Sequence, residues 1–213
     1  MSYGISVDGY HSFEDFGWAL SERKETPPKL RRTVVEVPYS NGTLDYTGVY
    51  GEAFYDEKTI AFTFTREFDD IDEAMEGVRE FTEWLLGIYN ANIGDDMFPE
   101  YHHHGSCTDV QPTHEKSGVK AQLVATFTLY PFMVADGEST KPLKVGTNYV
   151  INDGRPVRIT AKSSGSWSTI EINDETETVT STEKVTSLRL ESGMNEIEVD
   201  GSACTIKWIE ERL

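Results

Sequence analysis

The stretch that decides the fold covers residues 33–86 and begins Thr33-Val34-Val35-Glu36-Val37-Pro38-Tyr39. This β-branched run predicts a strand. Ser40-Asn41-Gly42 follows and predicts a tight turn, because Asn and Gly accept positive φ at little cost. Residues 43–51 are rich in Gly and aromatic side chains, and residues 59–65 predict another strand with Ile60, Phe62 and Phe64 on one face.

An acidic helix completes this stretch. Residues 66–100 hold eleven acids and two arginines, which gives a net charge of −9, half of the total of −18. Asp69 or Asp70 is suited to cap the helix, and Gly87 to end it. The apolar side chains at helical spacing predict a single stripe facing a sheet; they are Ile71, Ala74, Met75, Val78, Phe81 and Leu85.

The pattern of this stretch resembles the N-terminal domain of phage distal tail (Dit) proteins. The resemblance rests on Val37-Pro38-x-x-Asn41-Gly42-x-Leu44-Asp45-x-Thr47-Gly48, then a strand and a helix ending at Trp84-Leu85. Fixed spacing over about fifty residues is more specific than a short motif. The resemblance extends to about Met133, because members of the family close this domain with a long strand and an aromatic-proline pair.

The resemblance implies a structural protein of a siphophage tail tip or of a prophage. In that family the N-terminal domains form a homohexameric ring that joins the tail tube to the tail-tip hub and, in many phages, to receptor-binding proteins. The expected partners are therefore other copies of the chain, the tube protein, the hub protein and a receptor-binding protein. The expected location is the virion tail tip or baseplate, after assembly in the host cytoplasm.

Composition limits the other function classes. With 213 residues and 38% hydrophobic content, the chain suits one large domain or two small ones. The charge of −18 argues against binding to nucleic acid or an anionic membrane, because phosphate binding needs Lys and Arg patches. The N-terminus resembles no signal peptide, and no apolar run reaches the ~18 residues of a membrane span.

Strand patterns divide the remainder into two parts. Residues 16–20 predict a short strand before a polar loop at 21–30, and residues 118–130 predict the longest strand. Small, polar, Gly and Pro residues at 135–142 indicate a linker. Beyond it, short strands between turn signals predict a β-sandwich. The predicted fold is mainly β (α+β), with a sheet domain and one packed helix at 1–133, a linker at 134–142 and a sandwich at 143–213.

Within the predicted sandwich, Leu190-x-x-Gly193-x-Asn195-x-Ile197-x-Val199 resembles a strand-turn-strand of the galectin-like C-terminal domain of distal tail proteins. A sugar-binding role for this part has one candidate side chain, because Trp167 can stack on a saccharide ring. Filling of a small core is the competing interpretation. The alternative function is therefore a carbohydrate-binding module acting in host-surface adhesion.

Opposite charges indicate a candidate interface between copies. Residues 23–32 contain a basic cluster, whereas residues 66–100 are acidic. A solvated surface is the first interpretation of either segment, and an interface is the alternative. The interface hypothesis names Arg31, Arg32, Asn41, Gly42, Asp69 and Asp72.

The sequence offers little for catalysis. His102 and His104 share a face of a strand and could begin a metal site, with His114 and Cys107 nearby. No HExxH, CxxC or phosphate-binding glycine motif accompanies them. We therefore predict no catalytic residues, no metal, no cofactor and no enzyme activity. Cys107 and Cys204 are interpreted as reduced thiols, although the sequence leaves their pairing open.

Overall fold

A computed structural model describes residues 3–36, 38–39, 41–47, 49, 53–114 and 119–213, with the side chain of His114 outside the description. The chain divides into two compact units, Met1–Pro131 and Phe132–Leu213. Six residues named in the sequence predictions lie outside the described residues; they are Val37, Ser40, Gly48, Tyr50, Gly51 and Gly118.

The first unit contains one helix and nine strands within its described residues. Their order is β1 (Ile5–Val7), β2 (Tyr10–His11), β3 (Ala19–Thr26), β4 (Val34–Glu36), β5 (Thr43–Asp45), β6 (Lys58–Glu67), α1 (Ile71–Gly87), β7 (Ala91–Asp95), β8 (Tyr101–His114) and β9 (Lys120–Leu129).

Seven of these strands form one antiparallel sheet in the order β2-β1-β7-β8-β9-β6-β3. The backbone N–H of Leu20 in β3 donates to Tyr3 O, just before β1, at 2.8 Å, which is a single hydrogen bond and not a strand pairing. The alternation predicted for β6 and β9 is confirmed, because Ile60, Phe62 and Phe127 are fully buried. Strands β4 and β5 pair only with each other among the described strands.

Helix α1 begins where its capping chemistry predicts. The carboxylate of Asp70 accepts a hydrogen bond from the Glu73 N–H at 2.8 Å. Phe81 lies at the centre of the buried face, stacked on Trp18 with 5.0 Å between ring centroids. Ile71 and Met75, predicted on the buried stripe, are instead exposed at its edge.

The small residue Gly77 explains how the helix approaches the sheet. A Cβ at this position would lie 2.5 Å from the Phe68 ring. The missing side chain at Gly77 leaves room for that ring. Gly77 therefore joins the buried face of α1 together with Ala74, Val78, Phe81 and Leu85.

The second unit consists of two four-stranded antiparallel sheets. One has the order β15-β12-β17-β10, built from β10 (Met133–Leu143), β12 (Val157–Ser163), β15 (Lys184–Leu190) and β17 (Cys204–Arg212). The other has the order β11-β16-β13-β14, built from β11 (Gly146–Asn152), β13 (Trp167–Ile172), β14 (Glu175–Thr180) and β16 (Gly193–Gly201).

Both sheets contribute alternate side chains to one core, which is the packing of a β-sandwich. Ile159 and Ile206 come from the first sheet, and Ile170 and Ile197 from the second; all four are fully buried. The predicted fold class, mainly β with one helix, is confirmed.

The predicted linker is wrong. Residues 134–142 lie inside β10, which pairs with β17 from Met133↔Arg212 to Leu143↔Cys204. The register shifts between Val134 and Glu138, so residues 135–137 form a bulge in β10. The local composition is that of a loop, but the backbone groups gain a partner 60–80 residues later in the chain. The division between the units falls after Pro131.

Two further predictions in the first unit are corrected. The strand predicted at 16–20 is instead β3, which runs through the predicted polar loop to Thr26. Its polar residues are accommodated because β3 lies at a sheet edge and pairs with β6 alone. The short strands β1, β2 and β7 were not predicted, because strands of two to five residues show too little hydrophobic periodicity.

Candidate assembly surface

Between β3 and β6, the described residues of 27–57 form an arm outside the seven-stranded sheet. Near the base, the Arg31 N–H donates to Phe54 O at 2.8 Å and the Asp56 N–H donates to Lys29 O at 2.9 Å. Farther out, the β4–β5 pair runs from Val34↔Asp45 to Glu36↔Thr43. The arm is thus a two-stranded ribbon, and none of its described residues belongs to the core of the first unit.

Asn41 and Gly42 lie at the tip of this arm, between β4 and β5. Gly42 has a φ of +111°, which favours glycine. Tyr39 beside it also has positive φ and is fully exposed, at 109% of the reference area. The connection between the paired residues Glu36 and Thr43 is six residues long, so it is longer than the predicted tight turn, of which Ser40 lies outside the described residues. Tyr39 presents an aromatic ring to solvent there.

The described part of the arm exposes an unusual number of apolar side chains. Val35, Leu44 and Phe54 are each about half exposed, at 48%, 50% and 51%. A two-stranded ribbon without a further layer is marginally stable in water. Large exposed apolar surfaces mark interaction sites. The exposed apolar side chains are Leu30, Val34, Val35, Tyr39, Leu44, Tyr46, Val49 and Phe54.

Arg31 and Arg32 are paired within the arm. Arg31 Nε lies 3.0 Å from Asp56 Oδ1, and Arg32 contacts the Asp45 carboxylate. Hydrogen bonds from Thr47 and then Arg32 hold the pKa of Asp45 well below its usual range. Both arginines stay exposed, so these pairs contribute little stability.

Asp69 and Asp72 lie elsewhere, at the start of α1. The Asp69 N–H donates to Glu73 Oε2 at 3.2 Å, and Asp72 occupies the first helical turn, where a negative charge is favoured. Both side chains are exposed. Within one chain, the structure does not bring either acid to Arg31 or Arg32.

The predicted basic cluster is divided, because Arg23 points into the first unit. Arg23 Nε lies 3.0 Å from Asp95 Oδ2, and Lys58 Nζ lies 3.3 Å from Glu25 Oε1. The side chains of Lys58 and Asp95 are almost fully buried. Burial lowers the pKa of Lys58 and raises that of Asp95. No sequence signal marked this internal cluster, since Lys58 and Asp95 lie on β6 and β7, more than thirty residues from Arg23 and Glu25 on β3.

The histidines of β8 have different surroundings. His103 is buried, and burial followed by the charges of Lys58 and Arg23 lowers its pKa to about 3. His104 contacts Asn92 Oδ1 at 2.8 Å and Asn90 Oδ1 at 3.1 Å. Among the described residues, no group of three or more His, Cys, Asp or Glu side chains is arranged to hold a metal ion.

Both cysteines are free thiols. Burial raises the pKa of Cys107 and that of Cys204 to about 11 in each case. A thiol at this pKa is a poor nucleophile at neutral pH, because the thiolate is the reactive form.

Trp167 lies at the start of β13 and is 44% exposed. A Cβ at Gly201 would lie 2.5 Å from the indole, so the ring packs on that glycine. The ring therefore covers the turn after β16, and a sugar-stacking role stays a prediction. Trp208 is buried in the core of the second unit.

Comparisons with known proteins identify the fold. The crystal structure of the phage SPP1 Dit protein (gp 19.1), described as a paradigm of the hub adsorption apparatus in phages that infect Gram-positive bacteria, matches 100% of this chain and 100% of its own, with a TM-score of 0.78 at 10% identity. The chain therefore has the Dit fold, as its sequence pattern predicted.

Other matches are weaker. A chain of the phage P2 baseplate in its activated conformation with Ca matches over 97% of both chains at 9% identity, but its TM-score of 0.41 supports no conclusion. A glutamyl-tRNA(Gln) amidotransferase subunit of Nocardia farcinica (strain IFM 10152) is 30% identical over 89 residues, which are 41% of this chain and 18% of that relative. No protein-family model matches the chain. The described residues include no helix with the length and apolarity needed to cross a bilayer.

Proposed function

We propose that this chain is a structural protein of a phage tail tip or baseplate. Six copies close a ring that joins the tail tube to the tail-tip hub and the receptor-binding apparatus. The fold shared over the full length with SPP1 Dit supports this role. The protein acts by assembly in the virion rather than by catalysis.

The exposed arm carries the proposal. Its apolar side chains cannot all be buried by a two-stranded ribbon, so they need a surface supplied by another molecule. If that surface lies on the next copy, each copy gives its arm on one side and receives an arm on the other. Such head-to-tail contacts close into a ring when the rotation between copies closes.

Charge assists this contact in the proposal. Arg31 and Arg32 of one copy lie against the acids around Asp69 and Asp72 of the next. Their exposed partners Asp56 and Asp45 can be exchanged at small cost, because surface ion pairs contribute about 0–1 kcal/mol. Reversing both arginines to glutamate is expected to weaken assembly at low salt. A ring that forms unchanged in that variant would refute the contribution of these charges to assembly and leave the apolar contact of the arm as the proposed cause.

The decisive experiment is native mass spectrometry or light scattering on the purified chain across concentration and salt. A particle of six 24.0 kDa chains is the expected result. A strict monomer at every concentration would overturn the proposal that the chain closes a ring by itself. Addition of tail tube protein to that monomer would then test assembly on the tube.

A further inference from the structure

A cleft of about 500 Å³ lies on the first unit, where the turn between α1 and β7 approaches β8 and β9. Tyr89 and Asn90 line it from the turn, Ser106 and Thr128 from the two strands, and Tyr130 from directly after β9. The volume falls within the ~300–1,000 Å³ that small-molecule sites occupy. None of the exposed apolar side chains of the arm lines the cleft, so the contact proposed for ring closure does not account for it.

Strand pairing brings the polar groups of the cleft to one face of the sheet. Ser106 lies opposite Thr128 in the β8–β9 register, and the Tyr130 N–H donates to His104 O at 2.7 Å. Side chains alternate between the two faces of a strand, so these four point away from the core, in which Leu129 is buried. The two strands therefore present hydroxyl, imidazole and aromatic groups to the cleft from the same side.

Hydrogen bonds hold the turn residue Asn90 against these strands. Its backbone N–H donates to Ser106 Oγ at 2.9 Å, and its side-chain Oδ1 lies 3.1 Å from His104 Nε2. The other ring nitrogen of His104 lies 2.8 Å from Asn92 Oδ1, which fixes the imidazole. Asn90 has a φ of +49°, a conformation that Asn tolerates better than most residues. The side-chain N–H₂ group of Asn90 is thus held in place as a donor, which lowers the ordering cost of binding a ligand.

The lining chemistry selects the class of ligand. Among the described residues that line the cleft none is Lys or Arg, and Glu57 adds a negative charge, so an anionic ligand is disfavoured. A wholly apolar ligand would leave the Asn90 amide and the Thr128 hydroxyl without hydrogen-bond partners. Tyr89 and Tyr130 are 83% and 38% exposed and offer apolar ring faces with polar tips. A neutral saccharide matches both features, because its ring faces carry C–H groups and its edges carry hydroxyls.

We propose that this cleft binds a short neutral saccharide. The rings of Tyr89 and Tyr130 contact the faces of the sugar rings, while Asn90 and Thr128 exchange hydrogen bonds with the sugar hydroxyls. This site is separate from Trp167, which belongs to the second unit. It does not depend on ring formation, because every residue named for it belongs to one chain and to one unit.

The test uses the full chain and neutral trisaccharides of glucose, galactose and N-acetylglucosamine, with binding measured by ligand-observed NMR titration. Y89A removes one aromatic wall at an exposed position and should leave the urea unfolding midpoint unchanged. Y149A is the matched control, because it removes an exposed tyrosine from the second unit. E57Q removes the charge but keeps a hydrogen-bonding group. Arginine methyl ester is the competing probe, because aromatic rings beside a carboxylate also suit a cation.

We expect at least one of the trisaccharides to bind, with affinity about tenfold weaker in Y89A and changed by less than about threefold in Y149A and E57Q. Failure of all three trisaccharides to bind at ~10 mM would overturn the proposal, because it places any dissociation constant above the millimolar range. Equal losses in Y89A and Y149A would overturn the location of the site. Binding of arginine methyl ester that is lost in E57Q, without saccharide binding, would assign the cleft to cations instead.

Discussion

The apolar arm allows assembly to be separated from folding. The triple variant V35S/L44S/F54S replaces three side chains that lie outside the core of the first unit. About half of each side chain is already covered, since their exposures are 48%, 50% and 51%. Full burial of such a side chain contributes about 1.5–3 kcal/mol, so the remaining half contributes about 0.8–1.5 kcal/mol.

Three such side chains contribute about 2.4–4.5 kcal/mol to one interface between copies, which corresponds to roughly a 50- to 1,600-fold change in its dissociation constant. Analytical ultracentrifugation across concentration measures that shift. Urea unfolding of the dilute, unassembled chain measures folding, and there each substitution is expected to cost up to about 0.8–1.5 kcal/mol, because the chain itself covers the other half of each side chain.

The matched control is L86S/I209S, because Leu86 and Ile209 are exposed to 54% and 48% but lie outside the arm. This control should assemble as the unmodified chain does. The reasoning is refuted if the arm variant assembles at the same concentration as the unmodified chain, or if the control loses assembly to the same extent.

Three further predictions concern the interior. F81A should lower the free energy of unfolding, measured in urea, by about 3–5 kcal/mol, because Phe81 is fully buried. The control M75A, on the exposed side of α1, should change it by about 0.5 kcal/mol or less. Similar losses of stability in both variants would contradict the packing of α1 on the sheet. The pKa of His103 is lowered to about 3 in the folded chain, whereas the unfolded chain binds a proton at this imidazole near pH 6.5. The free energy of unfolding therefore falls as pH drops from about 6.5 toward 3, by up to ~1.4 kcal/mol per pH unit. H103Q should lack that component, and parallel pH profiles for both proteins would sink the assignment. Cys107 and Cys204, each with a pKa of about 11, should react with a thiol reagent at pH 7 far more slowly in the native chain than in urea. Equal rates would contradict the burial of Cys204 and the partial burial of Cys107.

The candidate assembly surface was only partly predictable. The reversal of the chain near Asn41-Gly42 follows from residue chemistry and lies at the tip of the arm, but its length of six residues between Glu36 and Thr43 does not. The sequence also predicted a strand in β4, but β-branched residues such as Val34 and Val35 normally indicate a buried face. Their exposure is decided by the absence of a covering layer among the described residues, which no local pattern reports.

Local periodicity determined the fold class of this protein. Alternation in β6 and β9, the capping carboxylate of Asp70 and the short strands of the second unit each follow from interactions within a few residues. The tertiary structure alone decided that Lys58 is buried beside Glu25 and that residues 134–142 form a strand. Both outcomes depend on partners distant in the chain, because burial and strand pairing are properties of the assembled sheet and not of the local sequence.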